Sequence, residues 1–302
     1  MLPLAAETGG HIGGAAIGVC PYARACVHEV ASQKDADAVV FTTTCDQMRR
    51  SAELIARSCN VSVFLFHVPA TWQTNAAHGL YADELRRLGR FLVRLGGSAP
   101  SRDELARVMR EFETARSAVC EARGRLSARQ FSQAIADFQR DGKVNLESLE
   151  SAPVPRGVPV ALVGSPLLRG HFDVFDVVEK AGGHIALDAT TSGERPLPAP
   201  FDRREIGDDP FTVLVSGYFG NIPDAFRRPN SELYVWLKHK IAERDIRGII
   251  FRHYTWCDLW HAEAQRMKES SDLPLFVMAI GDEEGLDGHT VSRIQSFVEI
   301  LR

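Results

Sequence analysis

The chain has 302 residues, 45% of them hydrophobic and 25% charged, with a formal net charge of -4. That length buries a substantial core and suffices for two domains. The mild acidic balance, with no Lys/Arg run, excludes the electrostatic footprint of a nucleic-acid binder, and no apolar stretch reaches the roughly 20 residues of a membrane span.

The opening run MLPLAAETGGHIGG has neither the basic start nor the apolar core of a signal peptide, so a cytoplasmic protein is expected. Its glycines, Gly9-Gly10 and Gly13-Gly14, do not form the G-x-G-x-x-G of a dinucleotide site, and no G-x-x-x-x-G-K-[ST] occurs anywhere. Cys20 is followed by Pro21, the residue favoured at the first helical position, and then by a helical pattern. The β-branched runs Ala38 to Thr44 and Val61 to Val68 flank a polar helical segment, which reads as a βαβ unit. From about residue 82 to 140, apolar residues recur at three- and four-residue spacing, which predicts an all-helical insert.

The proline-rich stretch Asn145 to Pro159 predicts a linker between domains spanning 1–150 and 151–302. Beyond it, PVALVGSP, HIALDA, FTVLVSG, GIIFRHYT and PLFVMAIG each predict a strand, alternating with amphipathic segments such as SELYVWLKHKIAERD. Short apolar strands alternating with helices give a parallel sheet covered on both faces. The expected fold class is therefore α/β: two Rossmann-like parallel-sheet domains with a helical insert in the first. The Gly164-Ser165-Pro166 turn after PVALV either touches a ligand or is plain turn chemistry.

Of six cysteines, three share one kind of position. Cys45 and Cys257 each sit where a strand hands over to a helix, and Cys20 precedes a helix-opening proline. Unpaired N–H groups at a helix start favour the thiolate, the form that binds metal, and should lower the thiol pKa. Loops at the carboxyl ends of parallel strands can bring such residues together. Three thiolates would leave one iron of a cubane cluster open. A zinc site is disfavoured by the lack of a C-x2-C pair or a compact Cys/His cluster. Position alone leaves two readings open for Cys20, Cys45 and Cys257: ligands, or small buried apolar residues. For Cys26, Cys59 and Cys120 the buried apolar reading is preferred.

Arg49 and Arg50, in the first turn after Cys45, either offset negative charge at that site or form a solvated helix face. His67 follows a strand and His253 precedes Cys257, so each is a candidate to deliver a proton, against the plainer role of a hydrogen-bonded histidine.

Several segments together resemble the 2-hydroxyacyl-CoA dehydratase and benzoyl-CoA reductase superfamily. They are Cys20-Pro-Tyr-Ala-Arg24, Thr43-Thr-Cys45-Asp46-Gln-Met-Arg49-Arg50, Gly182-Gly-His-Ile-Ala-Leu-Asp188 with Gly193-Glu-Arg195, Cys257-Asp258, Ile280-Gly-Asp282, and Ser292-Arg293-Ile-Gln-Ser-Phe297-Val-Glu299. The helical insert lacks the family's Asn-rich signature near Arg110 to Arg125. The resemblance implies a 4Fe-4S cluster on Cys20, Cys45 and Cys257, an acyl-CoA substrate, pairing with a related subunit or a second copy, and activation by an ATP-hydrolysing iron-sulfur reductase. It further implies radical elimination of water from a 2-hydroxyacyl-CoA, driven by one recycled low-potential electron. Two alternatives stand beside it: a benzoyl-CoA-type or double-cubane (8Fe-9S) reductase component, and a non-catalytic partner subunit.

Overall fold

The computed structural model describes residues 18–33, 35–146, 157–197, 199–281 and 285–302. The Gly9 to Gly14 run, the domain boundary expected at 150 and Asp282 lie outside the described residues. The chain is mixed α/β, with two parallel sheets among many helices.

Helix α1 (Pro21–Ser32) is followed by β1 (Ala38–Thr42), α2 (Asp46–Ser58) and β2 (Ser62–Phe66), and the two strands pair in parallel as the βαβ pattern predicts. Three helices come next: α3 (Asn75–Arg94), α4 (Arg102–Ala122) and α5 (Ala128–Asp141). Ser101 and Ser127 open α4 and α5 with complete capping boxes to Glu104 and Gln130, and Gly142 closes α5 in the left-handed conformation. The stretch expected to be helical from about residue 82 to 140 is thus covered by helices, the first of which begins earlier, at Asn75.

The second sheet contains β3 (Val158–Gly164), β4 (Gly183–Thr190), β5 (Gly248–Tyr254) and β6 (Leu275–Ile280), in the order β4-β3-β5-β6. Its pairings are parallel, and β5 is buried at every position because helices cover both faces. On one face, α1, α6 (Asp173–Lys180) and α11 (Gly288–Leu301) meet Leu162, Ile250, Tyr254 and Met278. On the other, α9 (Ser231–Glu243) and α10 (Asp258–Ser270) meet Val163, Leu187 and Phe251. The first-numbered helix thus packs on the second sheet, and Ala136 of α5 joins the same core.

Strand β4 carries a bulge: Val160 faces Ile185 while Ala161 faces Leu187, which leaves Ala186 as an extra residue. One extra residue reverses the alternation of side chains. Ile185 therefore faces one core and Leu187 the other, and Asp188 turns inward to Ser132 of α5 at 2.7 Å. The bulged carbonyl of Ala186 accepts from Arg123 and, at 2.9 Å, from Arg244, and both arginines also grip Glu194.

One expected strand is absent. FTVLVSG forms α8 (Pro210–Val215), continued by a π-helical turn over Ser216–Gly220, after the short α7 (Arg203–Asp208). Asp209 caps α8 by accepting from the N–H of Thr212 at 3.1 Å, and Pro210 occupies its first turn. This cap and proline override the strand preference of the β-branched run. No helix among the described residues is long and apolar enough to cross a membrane.

Candidate functional site

Each of Cys20, Cys45 and Cys257 is the N-cap residue of its helix, α1, α2 and α10 respectively. Cys20 is 4% exposed and accepts from the N–H of Ala23 at 3.4 Å through Sγ. Cys45 and Cys257 are half-buried. No cap hydrogen bond closes on either sulfur, but the N–H groups of Met48 and Gln47 near Cys45, and of Trp260 near Cys257, favour their thiolates electrostatically. The hydroxyl of Ser165 donates to Cys257 Sγ at 3.8 Å. The turn singled out after β3 thus reaches this cysteine.

The three thiols lie within electrostatic reach of one another. Negative charge on Cys257 and Cys45 raises the pKa of Cys20, and charge on Cys257 raises that of Cys45. Gln47 ties two of them: its Oε1 accepts from the N–H of Cys20 at 2.9 Å and its Nε2 donates to the carbonyl of Gly18 at 3.4 Å. It stands two residues after Cys45, so it fastens the start of α1 to the start of α2.

The expectation of lowered thiol pKa values is overturned. Burial pushes the Cys20 thiol up to about 12, and burial likewise raises Cys45 and Cys257 despite the helix-start N–H groups. Removing a charge from water costs more than a few N–H dipoles return. Thiols so placed ionise when a cation arrives to replace the proton. The donor set is chemically suited to an iron-sulfur group: soft sulfur ligands, buried or half-buried, within electrostatic reach of one another and held at three helix starts. Among the described residues no group of three or more His, Cys, Asp and Glu side chains is arranged around a single metal ion. A single ion needs every ligand within about 2.3 Å of one point, whereas a cubane spreads its ligands over separate irons.

A polar cluster missed by sequence reasoning lies on the Cys20 side of β5. Arg252 is 1% exposed, donates to the carbonyl of Ser165 at 2.9 Å and to that of Pro166, and lies 3.4 Å from His171 Nδ1. Its guanidinium sits 4.7 Å over the ring of Tyr254, whose hydroxyl is 3.0 Å from His171 Nδ1. Tyr254 in turn stacks with Tyr22 of α1 at 6.1 Å. Arg252 favours the Cys257 thiolate by its positive charge. Its place two residues before Tyr254 in a strand was the available signal, since the two share a face.

His253 points to the opposite face from Tyr254. It is buried, its Nδ1 lies 3.2 Å from the Tyr254 carbonyl, and its ring lies 5.1 Å from that of His261. Burial lowers its pKa, with His261 adding to the effect. His67 is exposed and meets Thr43 Oγ1 at 3.1 Å through Nδ1, so it is joined to the loop that carries Cys45. Arg49 is exposed and pairs with the exposed Asp46 at 3.6 Å.

Cys26 lies near Cys20 and Cys45, and burial pushes its thiol up to about 12. Cys59 ends α2, half-buried. Cys120, expected to be buried, is exposed, with Arg116 donating to its sulfur at 3.7 Å. The helix α4 turns that residue outward while its Val119 and Ala122 face the core.

The Gly193-Glu194-Arg195 element has a structural place beside the site. Gly193 lies against Asp188, where a Cβ would come within 2.3 Å of the carboxyl carbon. Asp188, buried, accepts from Ser132 and from the Thr190 N–H and hydroxyl, and burial raises its pKa. Arg195 donates to Asp224 and to the Pro223 carbonyl and lies 4.9 Å over Trp260, one turn after Cys257. No curated protein matches the chain. The model of the family described as 2-hydroxyglutaryl-CoA dehydratase, D-component, matches residues 17–301, and the chain belongs to that family.

Proposed function

We propose that the chain is the cluster-bearing component of a 2-hydroxyacyl-CoA dehydratase-type enzyme, a hydro-lyase acting on an acyl-CoA, with Cys20, Cys45 and Cys257 as the protein ligands of a 4Fe-4S cluster. The observation that carries this reading is the mutual electrostatic reach of three thiols from distant parts of the chain, each at a helix start. Such a cluster, when bound, supplies a one-electron donor and a Lewis-acidic position.

The chain's own residues prepare that site. Gln47 fixes Cys20 relative to Cys45, and Ser165 orients Cys257 by its hydroxyl proton. Arg252 supplies a buried positive charge that offsets the thiolates, and the rings of Tyr22 and Tyr254 keep water from the Cys20 side. His67, held through Nδ1 by Thr43, would present Nε2 to a substrate as proton carrier, with Arg49 at hand for an acidic group and His253 as a second proton carrier. The substrate would lie in a cleft near Cys45 and Cys257 between units 1–150 and 151–302. The working assembly would pair the chain with a related subunit or with itself, and an ATP-hydrolysing iron-sulfur protein would deliver the electron.

A second reading, a reductase component with a double-cubane cluster, is favoured by Cys26, which lies near Cys20 and Cys45. Anaerobic reconstitution with iron and sulfide separates the two: about four irons per chain support the dehydratase reading, about eight the reductase. In the same assay Cys20→Ala, Cys45→Ala and Cys257→Ala should each lose most iron and visible absorbance, while Cys59→Ala keeps both. Full iron in any of the first three removes that residue from the ligand set, and no iron in the native chain leaves only a scaffolding subunit.

A further inference from the structure

Ser165 follows the last residue of β3, at the carboxyl end of the sheet where the strand order reverses: β4 lies on one side of β3 and β5 on the other. Open parallel sheets place their ligands at such a point. The N–H of Ser165 donates to the Arg252 carbonyl at 3.1 Å, and its own carbonyl accepts from Arg252 Nη1 at 2.9 Å. The carbonyl of Gly164 before it accepts from the N–H of Thr191 at 3.2 Å. The bond to the Arg252 carbonyl needs Gly164, whose φ of +131° and lack of a Cβ let the turn come so close to β5. One arginine of β5 thus fixes Ser165 by both of its backbone groups.

What this fixing aims is a hydroxyl. Ser165 has no exposed surface, and its Oγ donates to Cys257 Sγ at 3.8 Å. A neutral thiol is a weak acceptor, so in the metal-free chain that bond returns little of the cost of burying a hydroxyl, a cost that alanine would avoid. A thiolate sulfur is a stronger acceptor, and a bond to it shortens and strengthens. The hydroxyl therefore suits the charged sulfur better than the free thiol. Cys20 and Cys45 meet backbone N–H groups, which come with any helix start, whereas Cys257 meets a side-chain donor as well.

We infer that Ser165 is a positioning residue for electron uptake, its hydroxyl held against Cys257 Sγ so that a cluster on the three thiols takes an electron at a less negative potential. The inference rests on the cluster reading above. Uptake adds one electron and no proton to the cluster, the electron coming from the ATP-hydrolysing iron-sulfur protein, and part of the added negative charge falls on the thiolate sulfurs. Hydrogen bonds to those sulfurs help to set the potential. A donor aimed at one of them stabilises the reduced form more than the oxidised form.

Redox titration followed by electron paramagnetic resonance tests this on the full-length native, Ser165→Ala and Ser165→Thr chains after anaerobic reconstitution. All three should take up equal iron. Ser165→Ala should have a more negative midpoint than the native chain, and Ser165→Thr, which keeps the hydroxyl, should lie closer to native. When metal-free, Ser165→Ala should unfold at a urea midpoint no lower than native, a result that a merely structural hydroxyl would not give. An unshifted or less negative midpoint in Ser165→Ala, loss of its iron, a lower urea midpoint when metal-free, or a folded Ser165→Thr chain shifted as far as Ser165→Ala would each overturn the inference. Should Ser165→Thr fail to fold, Ser165→Ala against native decides alone. No iron in the native chain would fell the cluster reading and this inference with it, whereas iron without a shift fells this inference only.

Discussion

The handover from β1 to α2 and that from β5 to α10 are built alike. In each, a strand ends, a cysteine caps a helix of 13 residues, and an aspartate follows in the first turn. Their supports differ. Strand β5 lies between β3 and β6 and is buried throughout, whereas β1 belongs to a two-stranded sheet in which Val40 is 44% and Leu65 38% exposed. Apolar burial supplies most of the stabilisation available to either, at about 25 cal/mol per Å2. The local chemistry of a helix-start thiol is thus portable, while its rigidity is borrowed from the sheet behind it. Cys45 depends on the Gln47 link to α1, and Cys257 on a closed core.

The sharpest way to break this contrast is Gly164→Ala at the end of β3. A Cβ there would meet the Arg252 carbonyl at 1.9 Å in a backbone with φ +131°. Strain and overpacking together should cost about 4 kcal/mol, read as a shifted urea midpoint or loss of folded chain. Next, Leu162→Ala in β3 should cost about 3 kcal/mol and Val40→Ala in β1 under about 1, because only the first opens a buried cavity. Equal costs would erase the distinction between the sheets.

A more gradual effect is a slope with pH in the metal-free chain. The Cys20 thiol goes from an ordinary 9.0 to about 12 on burial, so the folded state holds its proton more tightly than the unfolded state. That stabilisation is complete below about pH 9 and is lost as pH rises from 9 toward 12. The loss is about 1.4 kcal/mol per pH unit for this one thiol. Cys20→Ser should flatten the urea-midpoint profile in that window, and an unchanged profile would show that Cys20 is not the titrating group.

Much of this was legible in the sequence. The runs at Ala38 and Val61 and those opening at Pro159, His184, Gly248 and Pro274 formed strands, because β-branched apolar runs bounded by turns have few alternatives. FTVLVSG misled because its side chains favour a strand while the Asp209-Pro210 cap in front of it starts a helix. The cysteine positions were readable since a cap is local. The net direction of their pKa shifts was not, since burial is set by residues far along the chain. Arg252 and Tyr254, two residues apart in a strand, share a face, but the continuous buried run gives no sign of which side of the sheet that face is. The bulge at Ala186, which turns Asp188 inward, left no mark in HIALDA.

Helix α1 comes first in the described chain, yet it packs against strands that include β6, more than 240 residues further along. A contact between Tyr22 and Tyr254 cannot form on a ribosome until the C-terminal half has emerged. During synthesis Cys20 is therefore an uncovered thiol until β5 and β6 have emerged. Any group that all three thiols hold must therefore enter after residues 248–280 have been made.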